Sequence, residues 1–574
     1  MVPALLRQMV QLGAGAGCRS VRLIALLVVE GCLLLLLAAP THAQWQADQG
    51  LVIVGTVVMM NDAGDVLPTA RVFIRDGKIL AVAGEGEDLP PAAASAVVLQ
   101  TDAFIYPGLI DLHNHPEYNA FPLWVVPERF RDRYQWRGRK AYKAAVSEPY
   151  KILSAREYLN LQAELGKYAE LKALVGGTTA IQGMARHKAY SSIEYLVRNV
   201  EYTEVGARRV RRMLDPPRTV AGWPDAKQAA LTSGAWLFHL AEGLASSPRT
   251  GREFGLLRTH GLLLPQLVGI HSLGVTPEEM REMATVGAKI VWSPLSNVLL
   301  YGQTADVKAA KDAGVPISLA PDWSPSGSKS ILGELKVADL LNRTRLNTPF
   351  SDRELVAMVA RNPAIALGWG TVAGQVAPDF LGDVVVVDKL DESPYRSLIR
   401  ATESHVQLVV IRGEPLYGDA AVMRSLKTYR VSLPNGATKL TRQYELLRPR
   451  LPNQRQKAVD FKRTGVEKGD LAAKEVMETL GRAMQFDRDV LRQRIAPSQV
   501  TKDLAKCRNA PPPASPPTAG DFERFLRCTF PGGLAPTPLD PLFTVVDDEF
   551  FRRLDANANL PPELRGIRDF YRTP

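Results

Sequence analysis

A His-x-His pair at positions 113 and 115 follows a short apolar stretch. The ten residues that end at His115 read Tyr-Pro-Gly-Leu-Ile-Asp-Leu-His-Asn-His, and the apolar residues before the pair are typical of a buried strand. Side chains two positions apart on a strand point to the same face, so His113 and His115 would present two imidazoles side by side. Two neighbouring imidazoles are half of a typical transition-metal site.

Three further polar residues stand at the ends of later apolar runs. They are His239, His271 and Asp322, and each is followed by residues typical of a loop. In a barrel of parallel strands the carboxyl ends of all strands converge on one face, where active sites are built. Three imidazoles and one carboxylate suit zinc, or a late divalent transition metal such as iron, better than calcium or magnesium. The pattern therefore predicts a metal centre.

The order of these residues resembles the amidohydrolase superfamily, most closely its branch of cyclic-amide hydrolases, aminohydrolases and triazine-type hydrolases. The resemblance extends over roughly residues 50 to 430, and the ordered set is far more specific than any one member of it. The motifs that carry it are residues 107–115, His239-Leu-Ala-Glu242, Gly269-Ile-His271, Ser293-Pro-Leu-Ser-Asn297, Asp322 and residues 360–368.

The resemblance implies a divalent metal and a catalytic role for three residues. Zinc is preferred to iron, which family members also use, because a chain exported unfolded would acquire its metal outside the cytoplasm. A metal here would lower the pKa of a water toward neutrality, and Asp322 would accept the proton. Glu242 would pass a proton to the leaving nitrogen, and His271 would hydrogen-bond the developing oxyanion. The metal ligands that the resemblance implies are His113, His115, His239 and Asp322.

Many members of this family instead hold two metals, bridged by a carboxylated lysine on a central strand. Between Gly183 and His239 the only lysines are Lys188 and Lys227, and neither lies in an apolar run. A single metal is therefore favoured. If a second metal were present, His271 would be its ligand. Ser296 and Asn297, although part of a family motif, are expected to shape a loop rather than to act in catalysis.

The expected fold is α/β, a (β/α)8 or TIM barrel with a small β-sandwich built from both flanks of the catalytic module. Only about 50 residues separate Gly183 from the strand that carries His239, which is short for two strand–helix units. We therefore expect a degenerate unit with a surviving strand at residues 209–213, or a distorted or seven-stranded barrel. The predicted segments are a signal peptide at 1–43, sandwich strands at 44–108 and 372–432, the barrel at 109–371 and a helical C-terminal extension at 433–574.

A long segment, residues 116–149, follows the His-x-His pair and is rich in Arg, Tyr and Trp. Long loops at this face of a barrel shape substrate entry, so the segment is expected to act as a lid. Trp124 in this segment and Trp323 beside Asp322 are candidates for lining a substrate pocket. Packing in the core or lid is the alternative for both tryptophans.

The first 43 residues are typical of a secretory signal. Arginines precede an apolar run from Leu23 to Ala39, and Thr41-His42-Ala43 is a small-residue cleavage site. A periplasmic or secreted protein is therefore expected, in contact with a membrane only if the signal stays uncleaved. The cysteines left after cleavage, Cys507 and Cys528, are expected to form one disulfide. Residues 471–495 of the extension are typical of one amphipathic helix.

The resulting hypothesis is an exported hydrolase of a non-peptide carbon–nitrogen bond in a cyclic amide, an amidine or an amino-heterocycle. The formal net charge of +10 is explained by a solvated face, and nothing resembles a nucleic-acid module, so a small-molecule substrate is expected. An oligomer is compatible with the sequence. The alternatives are a dipeptidase or carbamate hydrolase, and a non-catalytic metal-binding envelope protein that acts through its C-terminal extension.

Overall fold

The protein was analysed as a computed structural model that describes residues 48–184, 196–203, 205–206, 208–432, 438–463, 468–507 and 511–572. The predicted signal peptide and Lys188 lie outside these ranges. Within them, no helix is both long enough and apolar enough to cross a membrane.

The strands are numbered in chain order and were assigned over the described residues. They are β1 (Leu51–Val58), β2 (Val66–Arg75), β3 (Lys78–Ala83), β4 (Val97–Pro107), β5 (Leu109–Asp111), β6 (Thr178–Ile181), β7 (Arg198–Asn199), β8 (Val210–Met213), β9 (Ala235–Leu240), β10 (Leu267–His271), β11 (Lys289–Trp292), β12 (Ile317–Leu319), β13 (Val384–Asp388), β14 (Val406–Ile411), β15 (Glu414–Asp419), β16 (Thr428–Ser432), β17 (Thr438–Arg442), β18 (Glu445–Leu446) and β19 (Lys457–Val459).

The α-helices fall between the barrel strands and in the C-terminal part of the chain. They span Arg133–Arg137, Lys140–Tyr142, Glu148–Ser154, Gln162–Val175, Gly222–Leu231, Thr250–Thr259, Pro277–Thr285, Pro294–Tyr301, Val307–Ala313, Ile331–Thr344, Asp352–Ala357, Arg361–Ala366, Pro394–Arg400, Ala420–Leu426, Ala473–Ala483, Arg488–Arg494, Pro497–Leu504, Ala519–Thr529, Asp548–Asp555 and Asp569–Arg572.

Eight short parallel strands carry the predicted site residues. They form a three-stranded sheet, β5-β6-β7, and a five-stranded sheet, β12-β11-β10-β9-β8. An isolated parallel bridge between Asn114 and Asp322 joins the outer strands β5 and β12 of the two sheets. The strand at 209–213 that the sequence predicts is β8, and the described residues between β7 and β8 contain no helix. The short spacing before His239 therefore reflects a unit without its helix.

Local signals in the sequence set several of the helices between these strands. Thr276 and Glu279 form a reciprocal capping box at the start of helix Pro277–Thr285, and Ser351 and Glu354 form another at Asp352–Ala357. Each capping box satisfies two backbone amides that a helix start leaves without partners. Each capping box lies within the first turn of its helix, so residues close together in the sequence set where the helix begins.

Strands from both flanks of the barrel lie in one nine-stranded sheet, in the order β18-β19-β15-β14-β13-β4-β1-β2-β3. Near the centre of this sheet, β4 pairs with β13 from the far flank. β4 leads directly into β5. Gly108 connects β4 to β5, and a Cβ atom there would lie 2.1 Å from Oγ1 of Thr179. Only glycine permits this approach. The strand that bears the His-x-His pair is thus anchored to the flanking sheet, whose description as a sandwich stays a prediction.

A buried ion pair strengthens this junction. The guanidinium of Arg198 on β7 donates from Nε and Nη2 to the two carboxylate oxygens of Asp383, at 2.6 and 3.0 Å. Asp383 directly precedes β13, and its backbone oxygen accepts from the amide of Gly108 at 2.8 Å. A bidentate pair of this kind fixes orientation as well as distance. The flanking sheet and the barrel therefore share one charged contact beside the start of β5.

The C-terminal extension is mainly helical, although β18 and β19 from it complete the nine-stranded sheet. The predicted single helix at 471–495 is wrong. Two helices, Ala473–Ala483 and Arg488–Arg494, occupy this region, because Phe486 adopts a left-handed backbone and the carboxylate of Asp487 caps the second helix. Apolar periodicity continues across the break, so periodicity alone does not reveal it. The segment boundaries given above stay a prediction.

The predicted disulfide is present, and it joins Cys507 to Cys528 across 21 residues. It links the end of helix Pro497–Leu504 to helix Ala519–Thr529. We expect replacement of both cysteines by serine to lower the free energy of unfolding by roughly 3 kcal/mol, because the bond restricts the unfolded chain. Urea unfolding followed by circular dichroism measures this change. The reductant dithiothreitol should destabilise the wild type and leave the variant unaffected; equal midpoints would contradict the prediction.

Candidate metal centre

Four imidazoles and one carboxylate converge at the carboxyl ends of the barrel strands. Donor atoms of His113, His239 and His271 lie within 4.8 Å of one another, and so do those of His113, His115 and Asp322. Nε2 of His113 and Nε2 of His115 lie 3.0 and 3.5 Å from Oδ1 of Asp322. His115 is open to a cavity, whereas the other four are buried. The structure thus brings together every ligand that the sequence predicts.

Backbone contacts hold the His-x-His pair against the aspartate. The amide of His115 donates to the carbonyl oxygen of Asp322 at 2.8 Å, and the amide of Asp322 donates to the carbonyl oxygen of His113 at 3.1 Å. Asp322 has a left-handed backbone, with φ of 67°. Such strain persists only where neighbouring contacts over-determine it, as they do at functional sites. Asp111 adds support by accepting from the amide of His113 at 3.2 Å.

The Ser-Pro-Leu-Ser-Asn motif contacts two of the site residues directly. The hydroxyl of Ser296 donates to Oδ2 of Asp322 at 2.7 Å, and Oδ1 of Asn297 lies 3.0 Å from Nδ1 of His271. These contacts show that the two residues do more than shape a loop. Each fixes the rotation of one site side chain, which leaves Oδ1 of Asp322 and Nε2 of His271 for the centre.

The protonation states of this cluster fit a cation. Burial, with the neighbouring imidazoles, holds the pKa of His239 well below its usual value and lowers the pKa of His115 to about 3. Burial disfavours charge on Asp322, but the imidazole of His113 above all keeps the pKa of this carboxyl well below its usual range. Burial disfavours charge on His113, but the Asp322 carboxylate raises the pKa of this ring, so a metal would displace a proton from it. A divalent metal requires neutral imidazoles and an ionised carboxylate as ligands.

Two buried nitrogens of the cluster have no hydrogen-bond partner in the described part of the chain. They are Nε2 of His113, which faces Asp322 without hydrogen-bond geometry, and Nδ1 of His239. A buried polar atom left without a partner costs roughly 1–3 kcal/mol, so native proteins rarely retain one without a reason. A metal ion gives both nitrogens a partner. The residues present therefore fit a divalent transition metal.

Glu242 lies at the edge of this cluster in a defined orientation. The hydroxyl of Tyr301 donates to its Oε1 at 2.7 Å, while its Oε2 lies 3.9 Å from Nε2 of His271 and 4.0 Å from the guanidinium of Arg133. Burial and the Glu242 carboxylate raise the pKa of Tyr301 well above its usual value, so the phenol stays a donor. Trp136 in turn donates from its indole nitrogen to the Tyr301 oxygen at 2.9 Å.

A fully buried arginine completes the support of Glu242. The guanidinium of Arg133 pairs with Glu253 at 3.0 Å and with Asp215 at 3.2 Å. Glu253 also accepts from the amide of Ala241, the residue before Glu242, at 2.8 Å. Sequence analysis missed Arg133, Glu253 and Tyr301, because the side-chain contacts between Tyr301 and Glu242, Arg133 and Asp215, and Arg133 and Glu253 join residues 59, 82 and 120 positions apart. No local spacing links such residues.

A cavity of about 460 Å³ opens onto the cluster, and tyrosine and tryptophan rings line it together with charged side chains. Tyr118 and Tyr150 stack with centroids 4.0 Å apart, and Trp323 packs edge-on against Tyr118. Trp124 instead stacks on Phe130 and does not line the cavity, so its packing alternative holds. The volume is ordinary for a small-molecule site. The side chains that line it are His115, Glu117, Tyr118, Trp136, Arg137, Tyr142, Tyr150, Arg212, Asp215, His239, Glu242, His271, Asp322 and Trp323.

The segment after the His-x-His pair supplies much of this lining, including Tyr118, Trp136 and Tyr142. Its predicted role as a lid is consistent with this position. No lysine lines the cavity within the described residues, and Lys227 instead lies beside Gly261, away from it. A bridging carboxylated lysine therefore has no candidate among the residues described.

The ligand assignment predicts metal content. We expect about one divalent metal per chain in the purified protein, and loss of that metal in Asp322→Asn and in His113→Ala, because each variant removes a donor from the cluster. Elemental analysis by plasma mass spectrometry measures this, with His260→Ala as the control, since His260 stacks on Trp223 outside the cluster. Two metals per chain would assign His271 as a ligand of the second. No metal after reconstitution would reject the centre.

Comparison with known proteins agrees with the family resemblance seen in the sequence. The model of the Amidohydrolase family matches residues 236–416. A 5′-deoxyadenosine deaminase of Methanosarcina mazei is 24% identical over 404 residues, which cover 64% of this chain and 92% of that protein.

Solved structures support the fold in particular. An adenosine deaminase from Xanthomonas campestris with bound zinc has a TM-score of 0.51 at 17% identity, covering 64% of this chain and 92% of that one. Atrazine chlorohydrolase from Arthrobacter aurescens, complexed with zinc, has a TM-score of 0.51 at 18% identity, covering 64% and 95%. At such identities the likeness concerns the fold, which is a TIM-barrel-type α/β fold.

The non-catalytic alternative is therefore set aside, since the ordered ligands, the convergent geometry and the matches all agree. Residues 236–416 thus match the Amidohydrolase family, and the chain is a metal-dependent hydrolase of carbon–nitrogen bonds other than peptide bonds.

Proposed function

We propose that the chain is a zinc-dependent aminohydrolase that releases ammonia from a planar amino-heterocycle. The observation that carries this proposal is the Glu242 carboxylate, which lies between the ligand cluster and an aromatic cavity and is oriented by Tyr301. The names of the relatives support the reaction type, since one is a deoxyadenosine deaminase and another an adenosine deaminase with bound zinc.

The metal would be held by His113, His115, His239 and Asp322. A divalent cation there supplies Lewis-acid chemistry that lowers the pKa of a water toward neutrality. Asp322, whose Oδ2 is occupied by the Ser296 hydroxyl, would accept a proton at Oδ1. This side chain stays ionised at neutral pH, so it is free to act as the base.

His271 would act on the opposite side of the reacting carbon. With its Nδ1 hydrogen on Asn297, a neutral ring carries a lone pair at Nε2, which accepts a hydrogen bond or a proton. In its charged form the same nitrogen donates to a developing negative charge. Burial lowers the pKa of His271, so the ring starts neutral at physiological pH.

Glu242 would carry the proton to the leaving nitrogen. Its Oε1 is held by Tyr301, while its Oε2 faces His271 at 3.9 Å and is open to the cavity that His271 also lines. Once Asp322 has taken the first proton of the water, the Glu242 carboxylate would take the second from the attacking oxygen and give it to the amine that departs, and the proton on Asp322 would pass to the ring nitrogen of the product. Arg133, at 4.0 Å from Oε2, keeps the carboxylate oriented without closing it off from the substrate.

The cavity walls favour a flat substrate. Tyr118, Tyr150 and Trp323 present ring faces and edges, and offset or edge-on contacts between rings contribute roughly 0.5–1.5 kcal/mol each beyond buried area. A saturated cyclic amide gains little from such contacts. An aromatic amino-heterocycle is therefore preferred over a cyclic amide, although both have a non-peptide carbon–nitrogen bond at the reacting carbon.

We also propose export to the periplasm or the medium. An apolar run behind arginines in the first 43 residues and a disulfide in the C-terminal extension support it. Expression in a Gram-negative host, followed by fractionation and intact-mass measurement, tests the proposal. A periplasmic product that begins at Gln44 is expected, and an uncleaved product confined to the cytoplasm would reject it.

The role of Glu242 predicts the behaviour of one variant. Glu242→Gln should lower kcat by about 10²- to 10⁴-fold, because an amide keeps the hydrogen bond to Tyr301 but cannot transfer the proton. Metal content should stay near one per chain, which separates this loss from loss of ligands. Glu282→Gln, at an exposed pair with Arg258, is the matched control and should retain full rate.

The assay for that comparison measures ammonia released from amino-purines, amino-pyrimidines, amino-triazines and adenine nucleosides, beside cyclic amides and dipeptides. Ammonia from a heterocycle would support deamination. Ring opening without ammonia would favour the cyclic-amide reaction, and cleavage of dipeptides or carbamates alone would reject the proposal.

A further inference from the structure

Two buried lysines lie beneath the metal-binding loops, and each forms an ion pair with a carboxylate far away in the sequence. Lys172, on helix Gln162–Val175, pairs with Asp540, and Lys329 pairs with Asp547 at 2.5 Å and with Asp540 at 3.3 Å. All four side chains are almost fully buried. Within the described part of the chain, these carboxylates are the ion-pair partners of the two lysines, and both belong to the C-terminal extension.

The ammonium of Lys172 connects this pair to the site. Its Nζ donates to the hydroxyl of Ser324 at 2.8 Å and to the carbonyl oxygen of Asn119 at 2.9 Å, besides the carboxylate of Asp540. Ser324 lies two residues after the ligand Asp322. Burial lowers the pKa of Lys172 to about 8, a shift that the Asp540 carboxylate opposes. One of the three acceptors around this ammonium is thus a carboxylate from the extension.

The connection continues to the His-x-His pair through hydrogen bonds. Oδ1 of Asn119 accepts from the amide of Ser324 at 2.8 Å, and Nδ2 of Asn119 donates to Oδ1 of Asn114 at 3.0 Å. Asn114 stands between His113 and His115 and donates to Asp111 at 2.6 Å. Two of the three strand ends that supply ligands, those of β5 and β12, are therefore tied to the same ammonium.

The same part of the extension also holds the segment that lines the cavity. Glu148 accepts from the amide of Gly532 at 2.8 Å, and the side chain of Asn557 accepts from the amide of Val126 at 2.9 Å. The amide of Asp540 itself donates to the carbonyl oxygen of Ala120 at 2.9 Å. Residues 532–559 thus contact the segment after the His-x-His pair at three separate points.

We infer that residues 532–559 belong to the active site. Asp540 is a positioning residue in this segment, and it acts through Lys172 on the loops that carry the metal ligands. The inference rests on the metal centre and not on the choice of substrate. Partners that orient ligands from outside typically change metal affinity by about 10- to 100-fold when they are replaced. The extension would therefore be required for metal binding and not only for stability.

Binding of Co²⁺ to metal-free full-length protein tests this inference, because its visible absorption reports ligand geometry without any substrate. We expect Asp540→Asn to weaken Co²⁺ binding by at least about tenfold and to alter the spectrum. The matched control is Asp489→Asn, the same charge change at an exposed position of the extension outside residues 532–559, and it should behave as the wild type. A folded Asp540→Asn protein with wild-type affinity and spectrum would overturn the inference.

A second variant separates positioning from folding. Lys172→Met combined with Asp540→Leu replaces a buried ion pair by apolar side chains, which often restores stability. We expect its thermal midpoint to exceed that of Asp540→Asn while Co²⁺ binding stays weak, since the hydrogen bonds to Ser324 and Asn119 are lost. Recovery of both stability and metal affinity would mean that Asp540 serves folding alone.

A third variant decides the question if Asp540→Asn does not fold. Ser324→Ala leaves the ion pairs in place and removes one acceptor of the Lys172 ammonium. Weakened Co²⁺ binding in this variant would support transmission through Lys172. An unchanged affinity and spectrum would overturn it. None of these measurements uses a substrate, so their outcomes can be interpreted even if the proposed deamination is wrong.

Discussion

The mutual approach of buried imidazoles around Asp322 is the contact on which the site depends. Donor atoms of three of the histidines lie within 4.8 Å of one another, an arrangement that is unfavourable if the rings are protonated. Burial keeps His239 and His115 neutral, and the ionised Asp322 supplies the one charge that the cluster needs. A cation then satisfies the nitrogens that the protein leaves without partners.

Holding this arrangement requires contacts from several directions. Ser296 and Asn297 fix two side chains of the site from helix Pro294–Tyr301, which follows β11, and Tyr301 and Arg133 orient Glu242. Each partner is itself buried and paired, which keeps its own desolvation cost low. The centre is therefore surrounded by a second set of polar contacts whose loss should alter geometry before it alters the fold.

Buried charges are also paired between the barrel and the C-terminal extension, farther from the metal centre. Lys172 and Lys329 would be unpaired ammonium groups in the protein interior without Asp540 and Asp547, and an isolated buried charge is strongly unfavourable. These two lysines thus depend on carboxylates that lie more than 200 residues after them in the chain. This dependence explains why helices of the extension pack on the barrel as part of one hydrophobic core rather than forming a separate one.

Local sequence patterns identified the residues that converge in the cluster, Glu242 beside them, the cysteine pair and the strand before His239. These follow from local pattern, because strand periodicity places a residue at a strand end and parallel strand ends converge on one face. Only the tertiary structure decided the roles of Tyr301, Arg133 and Asp540, and the break in the helix at Phe486. Those contacts join residues 59 to 368 positions apart, and such pairs form through packing of loops that no local periodicity encodes.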